Sequence, residues 1–339
     1  MSRRYSRLKS LILVCTCATF IIVVFVYFFW RAAKGLSSVQ LPTITIAVSQ
    51  TPLSAPFFIA DQLNLFEQQG LNVVLNPCSG GVQCAEALFS GEVDYATASE
   101  SVAMFKSFER SDFVLLASFV SSDNDLKLLT VPNRGVSKLS DLAGKRVGVV
   151  KASASEFYFD SILIANNLKQ MPLEKVYLSP DQLNQALFGF NVDAISVWEP
   201  WGYRTEMTSA SELINLGIVG IYNLSFNLMA MKEHAQQSEA HSVALLQALK
   251  QAIAWIHDNP DESRQWIAKD LNVPIHQLEW SWQDYAFRLS LGNALLSNIQ
   301  LQARWAIENK LVKGKLPDYR GYFSSEPLER VLQTEVSFK

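Results

Sequence analysis

The sequence predicts an α/β protein of two lobes, each a mostly parallel sheet flanked by helices, carried behind an N-terminal transmembrane helix. Three observations predict it. Strand-like and helix-like segments alternate twice in succession, the pattern turns helical from Ser242 onward, and an unbroken apolar run fills residues 11–30. Strands alternating with helices at this spacing form sheets covered on both faces.

The apolar run carries no charge and is long enough to span the roughly 30 Å hydrocarbon core of a bilayer. Arg3, Arg4, Arg7 and Lys9 precede it, and Arg31 and Lys34 follow. A cleavable leader has an apolar core of about 7–15 residues and a small-x-small site. This run is longer and ends in bulky Tyr27, Phe28, Phe29 and Trp30. The expectation is therefore an uncleaved anchor over residues 1–35, basic end in the cytoplasm and body exported. Lipid attachment at Cys15 or Cys17 is not expected, because Val14 and Thr16 are poor neighbours for a lipid-bearing cysteine.

Residues 1–34 hold six of the 29 basic residues and none of the 32 acidic ones, so the remainder carries a formal charge of −9. An acidic exported body excludes nucleic acid and anionic membrane surfaces as partners. The roughly 300 residues left are ample for two lobes of ordinary domain size.

Residues 43–48 are β-branched at alternate positions and read as the first strand. Ser54-Ala55-Pro56 starts a helix with Phe58, Ile59, Leu63 and Phe66 on its apolar face, and Gly70 ends it. A strand over 72–75, a helix over 82–90 stopped by Gly91, a strand over 93–98, a helix over 101–108 and a strand over 113–120 follow. The pattern restarts with a strand at 126–131, a helical turn at Ser140-Asp141-Leu142, a buried strand at 146–150 and a helix at 155–168. Strands at 175–178 and 193–198 flank a short helix at 182–188, and 212–216 closes the second unit. Residues 226–231 form the strand that returns to the first lobe. The first lobe is thus 43–122 plus 227–339 and the second 123–226, with a hinge at the two crossings and a cleft between the lobes.

Beyond Ser242, three apolar stripes fall at helical spacing: Leu245, Leu246, Leu249, Ile253 and Ile256; then Trp282, Tyr285 and Leu289; then Leu296, Ile299, Ala303 and Ile307. Asp258-Asn259-Pro260 ends the first. Core packing, not ligand binding, is the expected use of these aromatics.

Only Cys78 and Cys84 lie outside the anchor, while His234, His241, His257 and His276 all fall in the last third. No metal site and no cofactor are expected from this spacing. In an oxidising compartment the two cysteines read as a disulfide, with a pair of free thiols as the alternative.

Ligands of open α/β sheets bind beyond the carboxyl ends of the strands, which nominates the loops there. Ser49, Gln50 and Pro52 follow the first strand. Ser79-Gly80-Gly81 follows the second, where glycines let the backbone approach a ligand and the next helix starts with free N–H groups; a plain tight turn explains it equally. Ser99 and Glu100 follow the third. In the second lobe Lys151-Ala152-Ser153-Ala154-Ser155 leads into a helix that Ser153 or Ser155 can cap, with Glu156 in its first turn disfavouring an anion there. Trp198 can stack on a ligand and Glu199 can accept hydrogen bonds from an amine or aminopyrimidine. Asn227, Trp201 and Tyr203 can complete the wall. The alternative makes Trp198 core and Glu199 a solvated turn residue.

The stretch DLAGKRVGVV at 141–150, followed by Val192-Asp193-Ala194 and Val197-Trp198-Glu199-Pro200, resembles the solute-binding proteins of bacterial ABC importers. The similarity is to the NMT1/THI5-like branch that takes up nitrate, taurine, alkanesulfonates and thiamine-precursor pyrimidines, and it runs over residues 43–332. It implies the two-lobed type II periplasmic-binding-protein fold, with the Trp198–Glu199 stretch lining the cleft and no catalytic residue. The implied protein is tethered to the inner membrane with its body in the periplasm, or free in the periplasm if the leader is cleaved. It would capture a small-molecule ligand by lobe closure and deliver it to ABC permease and ATPase subunits. By the resemblance Ser153 and Ser155 match the loop that holds a sulfonate or nitrate anion; helix termini and serines suit such an oxyanion, Glu100, Glu156, Glu199 and Trp198 suit a nitrogen-bearing, aminopyrimidine-like group, and a taurine-like zwitterion suits both. A module that senses ligand for a membrane signalling partner is the main rival. A pyrimidine-synthesising enzyme of the same fold is the lesser one, since such enzymes consume a histidine and need iron, and no histidine here sits at a strand-end loop.

Overall fold

The computed structural model describes residues 41–334, so the expected anchor and Cys15 and Cys17 lie outside the described residues. Among the described residues no helix is long and apolar enough to cross a membrane.

Strand β1 (Thr43–Ser49) leads through a 3-10 turn (Pro52–Ser54) into α1 (Ala55–Gln62). The single helix expected up to Gly70 is two, because Asn64 adopts a left-handed conformation (φ 53°) and breaks the ladder before α2 (Leu65–Gln68). Asparagine is one of the few side chains that tolerates this region. Strand β2 (Asn72–Cys78), α3 (Gly81–Ser90), β3 (Tyr95–Ser99), α4 (Glu100–Lys106) and β4 (Phe113–Ser122) complete the first run.

The second run is β5 (Leu126–Thr130), β6 (Arg146–Val149), α5 (Ala154–Ala165), β7 (Glu174–Tyr177), α6 (Pro180–Phe188), β8 (Ala194–Trp198), α7 (Trp201–Thr208) and β9 (Ile214–Asn215). Strand β10 (Leu224–Met231) follows, then α8 (Lys232–Gln237), α9 (Glu239–Asp258), α10 (Pro260–Asp270), α11 (Ile275–Ser281), β11 (Ala286–Ser290), α12 (Asn293–Glu308) and α13 (Glu326–Leu332).

Two sheets result: a six-stranded one in the order β11-β4-β10-β3-β1-β2 and a five-stranded one in the order β7-β6-β8-β5-β9. Most strands in each sheet share a direction, but the pairings are mixed. Strand β10 lies antiparallel between β3 and β4, and β5 lies antiparallel between β8 and β9. Parallel pairs remain at β1–β2, β1–β3, β6–β7 and β6–β8.

The second aromatic stripe is not a helix. Trp282 sits in a 3-10 turn (Trp282–Asp284), and Leu289 sits in β11, which pairs antiparallel with β4. Burial there alternates, with Phe287 and Leu289 inside and Ala286 and Arg288 exposed, which is a strand's period of two.

The chain crosses between the two sheets twice. The chain leaves the carboxyl end of β4, crosses through residues 123–125, and enters β5, whose Leu126 faces Trp198 at the carboxyl end of β8. It returns through residues 216–223 into β10, whose Leu224 faces Ser122 of β4. Both crossings therefore meet the carboxyl ends of strands from each sheet. Side chains seal the region of α5 and α12: Phe157 lies 5.2 Å from Trp305 and 5.5 Å from Tyr222, ring to ring.

Candidate ligand-binding site

The carboxyl end of β1 carries the least satisfied polar groups of the first sheet. Ser49, Thr51 and Ser54 have side-chain hydroxyls that are buried yet have no hydrogen-bond partner among the described residues. They lie within one turn, stitched by Thr51 N–H to the Ser49 carbonyl (2.8 Å) and Ser54 N–H to the Thr51 carbonyl (3.0 Å). Buried polar atoms are normally paired, and an unpaired one costs about 1–3 kcal/mol. The three lie together at a strand end, beside the start of α1.

The β2–α3 turn lies next to this strand end, since Cys78 pairs with Ser49 in the parallel register. Gln50 N–H donates to the Cys78 carbonyl (2.9 Å), tying the two strand ends together. Gln50 itself is exposed. Ser79 is exposed, with its N–H (2.7 Å) and hydroxyl (2.9 Å) both donating to Gln83 Oε1. Gly80 precedes α3 without a side-chain cap. Gly81 presses on β3: a Cβ there would stand 3.0 Å from Ala98 Cα and 3.2 Å from the Ser99 nitrogen. Cys78 and Cys84 are joined by a disulfide with their Cα atoms 5.5 Å apart. Ser99 caps α4, its hydroxyl accepting from Val102 N–H.

Glu100 and Asn227 belong to the interior. Glu100 is fully buried and accepts from the Tyr222 hydroxyl, from Ser225 N–H (2.7 Å) and hydroxyl (3.1 Å), and from Gln302 Nε2 (3.1 Å). Burial pushes its pKa up, against the pull of the Tyr222, Ser225 and Gln302 donors. Asn227 is fully buried in β10, donating to the Ala98 carbonyl (3.3 Å) and the Ser225 hydroxyl (3.2 Å). Both side chains anchor the return crossing to the first sheet.

In the second sheet Ser153 and Ser155 are used by their own turn. Ser153 Oγ donates to the Val150 carbonyl (2.6 Å) and accepts from Ser155 N–H (3.2 Å), while Ser155 Oγ accepts from Val150 N–H (3.2 Å). Glu156 is likewise engaged, by Ala152 N–H (2.9 Å), the Tyr177 hydroxyl (2.8 Å) and Lys175 Nζ (3.1 Å).

Trp198 is half-buried against the core. Glu199 is 4% exposed, with Oε1 accepting from Trp280 Nε1 (2.8 Å) and Oε2 from Tyr203 N–H (2.9 Å). Burial pushes Glu199 up, and the two donors draw it back. Its N–H bonds to the carbonyl of Asp125 in the outward crossing (3.2 Å). Among the described residues no group of three or more His, Cys, Asp or Glu is arranged to hold a metal ion.

Comparison with known proteins gives this geometry a context. Residues 51–263 match the sequence profile described as "NMT1/THI5 like". The chain belongs to the NMT1/THI5-like family. A putative aliphatic sulfonates-binding protein of Bacillus subtilis is 25% identical over 246 residues, covering 70% of this chain and 72% of that protein. Its counterpart in Escherichia coli is 24% identical over 239 residues, covering 70% and 74%. The crystal structure of the periplasmic aliphatic sulphonate binding protein SsuA from Escherichia coli superposes with a TM-score of 0.72 at 19% identity, covering 83% of this chain and 97% of that one. This likeness establishes the α/β periplasmic-binding-protein fold. Both relatives are named as binding proteins.

Within the family frame, the structure groups Gln50, Ser79, Gly80 and Ser99 at one end of the first sheet, and Ser153, Ser155, Trp198 and Glu199 at neighbouring strand ends of the second. In the sequence Ser49 stands with Gln50 and Pro52 after the first strand and Ser54 reads as the start of a helix, while Thr51 has no assigned role. Three hydroxyls in six residues around a Pro-led turn were the available signal. Their lack of partners was not.

Proposed function

We propose that this NMT1/THI5-like protein is a periplasm-facing solute-binding protein that captures a small sulfonate-type anion between its lobes and delivers it to an ABC permease. The observation that carries the choice of ligand is the trio of unpartnered hydroxyls on Ser49, Thr51 and Ser54. Such donors, with helix N-terminal N–H groups, suit the oxygens of a sulfonate. The carboxylates that would have suited an amine or aminopyrimidine are already spent: Glu100, Glu156 and Glu199 accept from donors inside the protein. The names of the sulfonate-binding relatives point the same way. Delivery to a permease and tethering by the residue 11–30 run are supported by the family and by the composition of that run.

Titration calorimetry with ethanesulfonate tests the reading. Ser49→Ala and Ser54→Ala remove hydroxyls that bond to no other described residue, so the melting temperature should not fall. Each should weaken ethanesulfonate binding by about tenfold, the equivalent of one hydrogen bond to a charged group. Full-strength binding in both variants, or tight binding of an aminopyrimidine by the wild type instead of the sulfonate, would overturn it.

A further inference from the structure

The disulfide is wired to the hydroxyl cluster at both of its ends. Cys78, the last residue of β2, stands opposite Ser49 in the parallel register, and its carbonyl accepts from Gln50 N–H at 2.9 Å. Cys84, inside α3, has its sulfur 3.8 Å from the Thr97 hydroxyl that donates to it. The same Thr97 oxygen accepts from Ser49 N–H at 3.0 Å. Ser49 is thus held from one side through the strand pair and from the other through Thr97. Thr97 is fully buried.

Strand β2 needs such a hold. It is the outermost strand of its sheet, so among the described strands it pairs with β1 alone. Its carboxyl end runs straight into the Ser79-Gly80-Gly81 turn, whose glycines bring no side chain to pack. A bridge between residues six apart closes too short a loop to be a large source of chain-entropy stabilisation. With 6% and 0% exposure the two cysteines are also sheltered from solvent thiols in the folded protein, which suits a fixed brace better than a switch.

We infer that Cys78, Cys84 and Thr97 are positioning residues for the ligand, bracing the Gly80–Gly81 turn and the Ser49 hydroxyl in the arrangement that receives the charged oxygens. The inference rests on the oxyanion reading of the site. None of the three touches the ligand itself. Their effect passes through the backbone of Ser49 and through the turn.

The test uses the full chain, with Cys78→Ala/Cys84→Ala and Thr97→Val compared with wild type and with Thr97→Ser, which keeps the hydroxyl. In the absence of any ligand, amide hydrogen exchange should rise by about tenfold or more at residues 79–84 and 49–51 in the double variant, with β3 and β4 unchanged. The double variant should bind ethanesulfonate at least about tenfold more weakly while its melting temperature falls by only about 5 °C. Thr97→Val, with the bridge intact, should also bind several-fold more weakly, and Thr97→Ser should bind like wild type. Unchanged exchange at 79–84 and 49–51 overturns the brace whatever the ligand. Raised exchange with unchanged ethanesulfonate affinity overturns its role in binding. Failure of the wild type to bind ethanesulfonate overturns the oxyanion reading instead, and the exchange data then decide the brace alone. Should the double variant lose protection throughout, Thr97→Val against Thr97→Ser gives the decision.

Discussion

Glu100 shows how one side chain can look like a ligand contact in sequence and hold the return crossing in the fold. It follows β3, where ligand loops belong, yet its carboxylate faces Tyr222 and Ser225 at the end of the return crossing and Gln302 of α12. Replacing Glu100 with Gln substitutes one acceptor oxygen for two and aims an amide N–H at existing donors. A loss of about 2 kcal/mol of stability is expected, read as a lower urea midpoint at unchanged slope. An unchanged midpoint would mean that the crossing does not depend on this carboxylate. Strand-end position was legible because it follows from the alternation of elements. Which strand-end residues turn inward was not, since that depends on partners such as Gln302, about 200 positions away, that only folding brings near. Ser49 and Ser54 are the converse case: their buried, unpaired state is a property of the packed turn and leaves no mark in composition.

Between elements, the most informative contact joins α11 to the end of β8. Trp280 Nε1 donates to Glu199 Oε1 at 2.8 Å, and Tyr203 of α7 lies 6.2 Å from the Trp280 ring. Helix α11 follows the return strand, whereas β8 and α7 belong to the second sheet's run, so this bond links the two halves of the chain outside the crossings. Trp280 is 42% exposed, so the bond is partly screened and its coupling should fall at the low end for a charged acceptor, about 1 kcal/mol. A double-mutant cycle of Trp280→Phe and Glu199→Gln, followed by thermal unfolding, should return that coupling. Strictly additive effects would reduce the contact to a geometric coincidence. The same region shows the limits of pattern reading. Trp282, Tyr285 and Leu289 fall at spacings a helix would use, but Tyr285, Phe287, Leu289 and Leu291 are all buried at a spacing of two. Both periods were present in the sequence. The unpaired edge of β4 selected the strand.

At the scale of the whole molecule, two sheets meet at crossings that bury acidic groups, and this gives the fold a dependence on pH. Asp125 is 2% exposed in the outward crossing, its pKa pushed from 3.8 up to about 8 by burial first and by nearby Glu199 second, with Lys127 opposing. Glu199 is raised as well. A carboxyl whose pKa rises on folding binds its proton more tightly in the folded state. Stability from this source is therefore complete below about pH 4 and is lost as pH climbs towards about 8. Asp125→Asn keeps the shape of the protonated acid and cannot ionise. The melting temperature of the wild type should thus fall relative to Asp125→Asn between pH 5 and pH 8.5, by about 5 °C or more at the upper end, with Glu199 leaving a residual slope in the variant. Tyr285 donates to Asp125 Oδ1 at 3.4 Å, and its own pKa lies well above 10, outside this window. Parallel melting curves for the two proteins across the range would show that the Asp125 carboxyl is solvated in the folded state, and that the outward crossing is more open than its packing against Tyr285 and Glu199 implies.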